Sequence, residues 1–253
     1  MKREPYIGIT GFMTREEVDE VMSAIPEGST KKFMVGILAS QKTIAGLPNK
    51  WPERYPITRD IAKITSDDER ALNLVHYGDG MKHHEGLGKV LISITREYGG
   101  PNLHGFQLNM TWPEAREITE FKEKYPEMQI VLQAGTRTLK NTDESAEKLV
   151  NGFQTAFPNG EVDYLILDLS GGLGKELNPD LIMRHIEAIE TANLDVGVVL
   201  AGGLYGKNSN IVAPILRRFP NTGTDAEGKL RDPITDKLNI KEAIDYTSTY
   251  YRL

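Results

Sequence analysis

The sequence predicts a single α/β domain in which eight parallel strands, each followed by a helix, close into a barrel. Short apolar runs alternate with amphipathic stretches along the whole chain, and no Pro- or Ser-rich linker divides it. Continuous apolar runs are typical of parallel strands that are covered on both faces. Right-handed crossovers between such strands give either an open doubly wound sheet or a closed barrel. Eight units in 253 residues favour one (β/α)8 barrel, or TIM barrel, over residues 1–253, because such barrels use about 250 residues.

Each predicted strand is a short run of apolar, often β-branched residues. The eight runs are residues 6–10, 33–38, 71–76, 105–110, 129–133, 162–167, 197–200 and 221–226. The last run is the least apolar of the eight. The connection at residues 39–56 is the one insertion long enough to be a functional loop.

The helices between these strands are marked by capping signals and by apolar residues at helical spacing. Thr14 and Glu17 form a Thr-x-x-Glu capping box. A second capping box is predicted at residues 111–114, with Pro113 at the first helical position. Asn178 precedes Pro179 as a further helix start. Other helices are predicted over residues 58–64, 85–98 and 239–251.

Composition excludes several classes of protein. Hydrophobic residues make up 39% and charged residues 26% of the chain, as in ordinary globular domains. The 30 Lys and Arg residues against 36 Asp and Glu give a net charge of −6, with no basic block for nucleic acid. The chain has no cysteine, which excludes disulfides and thiol chemistry. The longest apolar run, residues 196–204, is far too short to span a membrane, so a soluble cytoplasmic protein is expected.

Glycine-bearing segments follow the last three predicted strands. In TIM barrels the active site lies at the carboxyl ends of the strands, and phosphate commonly binds after strands seven and eight. Glycine lets backbone N–H groups approach an anion closely. The alternative is that these segments are only tight strand-to-helix turns. We expect a phosphate site formed by Gly172, Gly174, Gly202, Gly203 and Gly228.

The segments that follow the sixth and seventh predicted strands resemble those of the phosphoribosylanthranilate isomerase family, whose members are barrels of tryptophan biosynthesis. Asp168 precedes Gly-Gly-Leu-Gly-Lys at residues 171–175, and Leu-Ala-Gly-Gly-Leu follows at residues 200–204. Weaker similarity extends over most of the chain. The resemblance implies that Asp168 is the general acid, that Lys175 is the loop lysine, and that Arg54 binds the anthranilate group.

The same resemblance also shows departures from the family pattern. The family's general base is a cysteine on the first strand, and Thr10 stands at that position. A threonine hydroxyl is far too weak an acid to replace a thiolate without strong activation. The family's aspartate near the eighth strand falls at Thr224, and its paired serines fall at Ala226 and Glu227. Its histidine on the fourth strand falls at Asn109 or Met110.

Two further groups of residues are weaker candidates. His76 and Asp79, at the end of the third strand, are alternatives to the missing base. Together with His83 and His84 they suggest a metal site, but their spacing matches no named metal motif, so neither a metal nor a cofactor is expected. His185 is interpreted as a packed or surface histidine. The tyrosines of the last helix are interpreted as packing on the barrel exterior.

Three functions are compatible with these residues. The first is a sugar-phosphate isomerase with Asp168 as general acid and a base other than a thiol. The second is a non-catalytic barrel that binds a phosphosugar or nucleotide, and the third is an enzyme with different phosphosugar chemistry in the same site. All three require a phosphorylated small molecule as partner, and the oligomeric state stays open.

Overall fold

Eight parallel strands follow one another in chain order around a closed ring, which confirms the predicted barrel. The computed structural model describes residues 3–78, 85–110, 112–135, 138, 142, 144–168 and 177–253. The strands are β1 (Tyr6–Thr10), β2 (Lys32–Ser40), β3 (Ala71–Gly78), β4 (Gly105–Leu108), β5 (Gln129–Ala134), β6 (Tyr164–Asp168), β7 (Gly197–Ala201) and β8 (Thr222–Ala226).

Helices on the outside of the ring connect these strands. Within the described residues the α-helices are α1 (Arg15–Met22), α2 (Gln41–Ile44), α3 (Ile61–Ile64), α4 (Leu87–Ile94), α5 (Ala115–Lys124), α6 (Ala146–Ala156), α7 (Pro179–Thr191), α8 (Ser209–Arg218) and α9 (Ile240–Tyr250). Short 3-10 helices cover Thr58–Asp60, Gly206–Asn208 and Gly228–Leu230, and a π-helical turn, Thr95–Gly99, extends α4. None of the helices described here is long and apolar enough to cross a membrane.

The apolar core has two layers, because alternate residues of each strand face the inside or the outside of the barrel. The inner layer includes Tyr6, Met34, Leu74 and Ile166. The larger outer layer packs the strands against the helices. His185 belongs to this outer region: it is buried, and its Nδ1 lies 2.8 Å from the Leu181 carbonyl oxygen, in agreement with its interpretation as a packed histidine.

Two of the three predicted helix starts are confirmed. Thr14 and Glu17 form the reciprocal capping box of α1, and the Asn178 side chain caps α7 with Pro179 in the first turn. The start of α5 at Pro113 is wrong: the helix begins at Ala115, after an extended Glu114 that makes no side-chain cap.

The late start of α5 has a packing cause. The Trp112 ring packs against Phe153 and Phe157 of the neighbouring α6 region, with ring centroids 5.7 and 5.9 Å apart. This contact holds the segment before Ala115 on the outside of the barrel. Tertiary packing therefore overrides the local capping signal.

The paired strands β2 and β3 are longer than predicted. They pair from Phe33 and Ala71 to Ser40 and Gly78, so that each strand supports the extension of the other. The longer β3 places His76 inside the strand rather than at its end. His76 is aligned with Gln107 on β4, and both side chains belong to the mouth of the barrel.

Candidate active site

A cavity of about 430 Å³ opens at the carboxyl ends of the strands. All the predicted site residues that the structure describes line it: Thr10, Arg54, His76, Asp168, Gly202, Gly203 and Gly228. Gly172, Gly174 and Lys175 lie outside the described residues. The residues that were predicted from separate segments of the sequence are therefore brought to one common face of the barrel.

Asp225 is the most deeply buried acid of this cavity. It lies on β8, with Gly8 of β1 and Ala201 of β7 as its neighbours across the sheet. Gln107 Nε2 donates to Asp225 Oδ2 at 2.9 Å. The Thr10 hydroxyl lies 3.2 and 3.3 Å from the two carboxylate oxygens and donates to them. Thr10, which stands at the position of the family's base, therefore acts here as a hydrogen-bond donor to a neighbouring acid.

Burial raises the pKa of Asp225 to about 7. This value is a net result: the nearby charges of Glu227 and Asp168 also raise the pKa, whereas the hydrogen bonds from Gln107 and Thr10 lower it. Burial disfavours the ionised form because the low-dielectric interior solvates charge poorly. A carboxyl group with this pKa exchanges its proton readily near neutral pH, as a general acid or base must.

Asp168 ends β6 on the same cavity and is 8% exposed. Gln133 Nε2, from the neighbouring β5, donates to Asp168 Oδ2 at 3.0 Å. Each of the two aspartates thus accepts a hydrogen bond from the amide of a glutamine that lines the cavity. These bonds orient the carboxylates toward the interior of the mouth.

His76 faces the cavity from β3 and is 5% exposed. Burial lowers the pKa of His76, and the charge of Glu227 only partly opposes this effect. The imidazole is therefore neutral at neutral pH, with one nitrogen able to donate and the other able to accept. Its Nδ1 has no hydrogen-bond partner in the described part of the chain.

Arg54 lines the cavity but is already engaged by two carboxylates. It makes a bidentate ion pair with Asp236, in which Nε and Nη2 donate to the two carboxylate oxygens at 2.7 and 2.6 Å. Its Nη1 also donates to Glu227 Oε1 at 3.0 Å. Its guanidinium also lies 4.7 Å from the centroid of the Trp51 ring. These contacts occupy the fork that would bind a substrate carboxylate, as the resemblance implies for Arg54.

The glycine turn after β7 has the backbone conformation that glycine favours. Gly202 and Gly203 have φ angles of +99° and +71°. The Asn208 side chain shapes this turn, since its Nδ2 donates to the Gly203 carbonyl at 3.0 Å and its Oδ1 accepts from the Tyr205 backbone at 3.0 Å. Gly228 begins a 3-10 helix beyond β8.

The sequence comparison missed Asp225 because of a shift of one residue. It assigned Thr224 to the aspartate position, but Thr224 faces outward, where the Tyr246 hydroxyl donates to its Oγ1 at 2.8 Å. The same contact agrees with the interpretation that the tyrosines of α9 pack on the exterior. A shift of one residue in a strand moves a side chain to the opposite face, so the strand period of two is the signal that finds Asp225.

No group of three or more metal-binding side chains occurs among the residues that the structure describes. Asp79, His83 and His84, which suggested a metal site together with His76, lie outside those residues.

The fold and its mouth define a (β/α)8 barrel with two buried acids, on β6 and β8, at the carboxyl ends of its strands. Solved structures with this fold include phosphoribosyl anthranilate isomerase from Thermus thermophilus, with 12% identity, a TM-score of 0.65 and 98% of each chain covered. Tryptophan synthase subunit alpha from Legionella pneumophila is also similar, with 12% identity, a TM-score of 0.57, and 98% of this chain and 90% of that chain covered. A further similar structure is QR15, an aldolase, with 10% identity and a TM-score of 0.55 over 98% of this chain and 96% of that chain.

At these identities the likeness shows the barrel fold alone. No protein-family model matches the chain, and no curated protein matches it either. The chemistry of this barrel therefore has to be argued from its own residues.

Proposed function

We propose that this barrel is an isomerase of phosphorylated sugars in which Asp225 takes the place of the thiol base and Asp168 is the acid. The observation that carries the proposal is the pairing of these two carboxyl groups in one cavity with the glycine turn of Gly202 and Gly203. The phosphate would bind the turn residues after β7 and β8, where TIM barrels commonly hold one. Lys229, which lines the same side of the cavity, adds a positive charge.

The two carboxyl groups supply the proton transfers that moving a carbonyl group requires. In the open-chain aldose, Asp225 removes the proton from C2 while Asp168 protonates the carbonyl oxygen on C1, which gives an enediol. The proton held by Asp225 then goes to C1, and Asp168 recovers a proton from the oxygen on C2, which becomes the carbonyl oxygen of the ketose. Both acids return to their starting states, and no cofactor is consumed.

The raised pKa of Asp225 supports the role of base. A carboxylate of ordinary pKa is a weak base for a carbon acid, whereas a pKa of about 7 matches the base to the operating pH. Thr10 then needs no alkoxide: it donates a hydrogen bond to Asp225 and positions the carboxylate.

Incorporation of solvent deuterium tests the reaction directly. In D₂O, the protein is expected to exchange the C2 proton of an aldose 5-phosphate and to form the ketose, as followed by proton NMR. Asp168→Asn is expected to slow isomer formation at least about a hundredfold, because the carbonyl oxygen loses its acid. Binding of the sugar phosphate without exchange or isomer formation would favour the non-catalytic binding barrel instead.

A pair of glycine variants tests the phosphate site. Gly203 and Gly160 have nearly the same φ, +71° and +73°, and a Cβ at either position would meet no atom within 4 Å. Alanine at each is expected to destabilise the fold by about 1–2 kcal/mol, the strain of a left-handed conformation. Only Gly203→Ala is expected to weaken phosphate binding, about tenfold or more, because a displaced N–H group loses a bond to a charged ligand.

Isothermal titration with inorganic phosphate and urea unfolding measure the two effects of these variants. Gly160 precedes β6, at the opposite end of the barrel from the cavity, so Gly160→Ala is the matched control. Equal phosphate affinities for the two variants would show that the turn of Gly202 and Gly203 does not bind the phosphate.

A further inference from the structure

The half of the cavity that faces away from the glycine turns is lined by neutral polar side chains. In the closed ring, β3 and β4 lie across from β7 and β8. His76, Gln107 and Gln133 extend into the cavity from β3, β4 and β5. His76 and Gln107 are aligned on adjacent strands, and Gln133 lies two residues beyond Val131, which is the partner of Gln107 on β5. These three side chains are called the polar wall.

Each side chain of this wall carries a buried polar atom without a partner in the described part of the chain. These atoms are His76 Nδ1, Gln107 Oε1 and Gln133 Oε1. The amide orientations follow from chemistry: Nε2 of Gln107 donates to Asp225, and Nε2 of Gln133 donates to Asp168. Carboxylates accept hydrogen bonds, so each Oε1 is turned away from the acid that its own Nε2 contacts.

Unpaired buried acceptors are costly, and in native proteins each such group calls for an explanation. A ligand that donates hydrogen bonds to this wall would remove the cost. A hydroxyl group is a neutral group that can donate to an amide oxygen and can also either donate to or accept from a neutral imidazole.

The charges around the cavity disfavour a second anionic group on the ligand. Asp168, Asp225 and Glu227 all line the cavity. Arg54 is paired with Asp236 and Glu227, so it offers no free cation to this half. A carboxylate or second phosphate placed here would lose its hydration, and Arg54 would not compensate as an unpaired cation.

The size of the cavity sets a further limit. About 430 Å³ is near the lower end of the range of about 300–1,000 Å³ for small-molecule sites. A compact ligand fits this volume better than a dinucleotide does.

We infer that the substrate is a sugar monophosphate with free hydroxyl groups and no second anionic group, and that His76, Gln107 and Gln133 recognise its hydroxyls. This inference rests on the proposed function, because it assumes that the phosphate occupies the glycine turns. It differs from what the sequence resemblance implies for the substrate, since phosphoribosylanthranilate carries a carboxylate.

Titration calorimetry with three probes tests the inference on the wild-type protein. The probes are inorganic phosphate, ribose 5-phosphate and ribulose 1,5-bisphosphate. Ribose 5-phosphate is expected to bind at least about tenfold more tightly than inorganic phosphate, the effect of one or two added hydrogen bonds. The bisphosphate is expected to bind more weakly than the monophosphate.

The outcomes separate this inference from the proposed function. Equal affinity for inorganic phosphate and ribose 5-phosphate, or tighter binding of the bisphosphate, would overturn the inference and leave the phosphate site in place. Failure of all three probes to bind at millimolar concentration would instead overturn the phosphate site, and the inference with it.

A matched pair of glutamine variants localises the effect. Gln133 and Gln129 both lie on β5, and both carry a buried Oε1 without a partner in the described residues. Only Gln133 lines the cavity at the mouth, whereas Gln129 lies at the opposite end of the barrel. Gln133→Leu is expected to weaken ribose 5-phosphate binding about five- to tenfold and to leave inorganic phosphate binding unchanged. Gln129→Leu is expected to change neither affinity.

His76→Phe is the second variant, for use if Gln133→Leu disturbs Asp168 or fails to fold. It keeps a planar ring and removes both ring nitrogens, so the same selective loss of sugar affinity is expected. If the folded variants keep the wild-type ratio of ribose 5-phosphate affinity to inorganic phosphate affinity, the polar wall does not contact the sugar.

Discussion

Asp225→Asn is expected to abolish turnover and, above pH 7, to make the fold more stable. The loss of activity follows because an amide cannot accept the substrate proton, and a general base contributes about 10²–10⁴-fold to a rate. For a base as deeply buried as Asp225, a loss near the upper end, about 10⁴-fold, is expected. The new amide keeps the local hydrogen bonds, since its oxygen can accept from Gln107 and its nitrogen can donate to Thr10.

The gain in stability has a definite pH dependence. In the unfolded chain the Asp225 carboxyl ionises near pH 4, whereas in the folded protein burial raises its pKa to about 7. Between these two values the folded state holds a proton that the unfolded state has lost, so the wild-type protein loses stability as pH rises. The difference between variant and wild type should therefore be small near pH 4, grow to pH 7 and then level off. Its plateau is expected at roughly 2–4 kcal/mol, from 1.36 kcal/mol for each pH unit.

Urea unfolding of both proteins at several values between pH 4 and pH 8 measures this difference. Glu123→Gln, which changes an exposed carboxylate on α5, is the control and should show little change across the range. A constant difference for Asp225→Asn from pH 4 to pH 8 would contradict a raised pKa. Retention of full activity by Asp225→Asn would contradict its role as the base.

Arg231→Met is expected to cause the largest loss of stability among single changes near the mouth. The Arg231 side chain is only 2% exposed. It donates to the carbonyl oxygens of Gly11 at 3.2 Å and Asp236 at 2.8 Å, and it packs so closely on Gly11 that a Cβ there would overlap its guanidinium. Methionine fills much of the space but leaves these carbonyls unpaired and removes a cation near Glu227. A loss of about 3 kcal/mol is expected, as for other buried charged networks that lose one partner.

Urea unfolding measures this loss, and limited proteolysis of residues 227–239 would show whether the loss is local. Arg116→Met is the matched control, because Arg116 pairs with Glu114 on the exposed surface and such pairs contribute at most about 1 kcal/mol. Similar losses for the two variants would mean that Arg231 does not tie the segment after β8 to the first strand.

Much of the barrel follows from the sequence because its strands are buried on both faces and read as continuous apolar runs. β1 was predicted with its exact bounds, and β6 and β7 were predicted to within two residues. The limits of β2 and β3 depend on their mutual pairing, which no local pattern contains. The start of α5 depends on the contact of Trp112 with α6, and only the folded chain makes that contact.

The sequence predicted which residues meet at the mouth of the barrel better than it predicted their contacts. Glycine segments at the strand ends predicted the face of the barrel on which the cavity opens, because that location depends only on the order of the elements. The partners of Arg54 are 173 and 182 residues away in the chain, so its engagement by carboxylates has no local signal. Gln107 and Gln133 are ordinary strand residues in the sequence, and their importance emerges only when their amides meet Asp225 and Asp168.

The closed ring also has a consequence for folding during translation. β8 pairs with β1, and Gly8 is the neighbour of Asp225 across this seam. The first strand leaves the ribosome long before its partner exists, so the ring stays open until β8 has been made. Pairings between such distant segments are intrinsically slow to form. Asp225 therefore belongs to the strand whose synthesis allows the ring to close, and α9, whose Tyr246 bonds to Thr224, can secure the seam only after that.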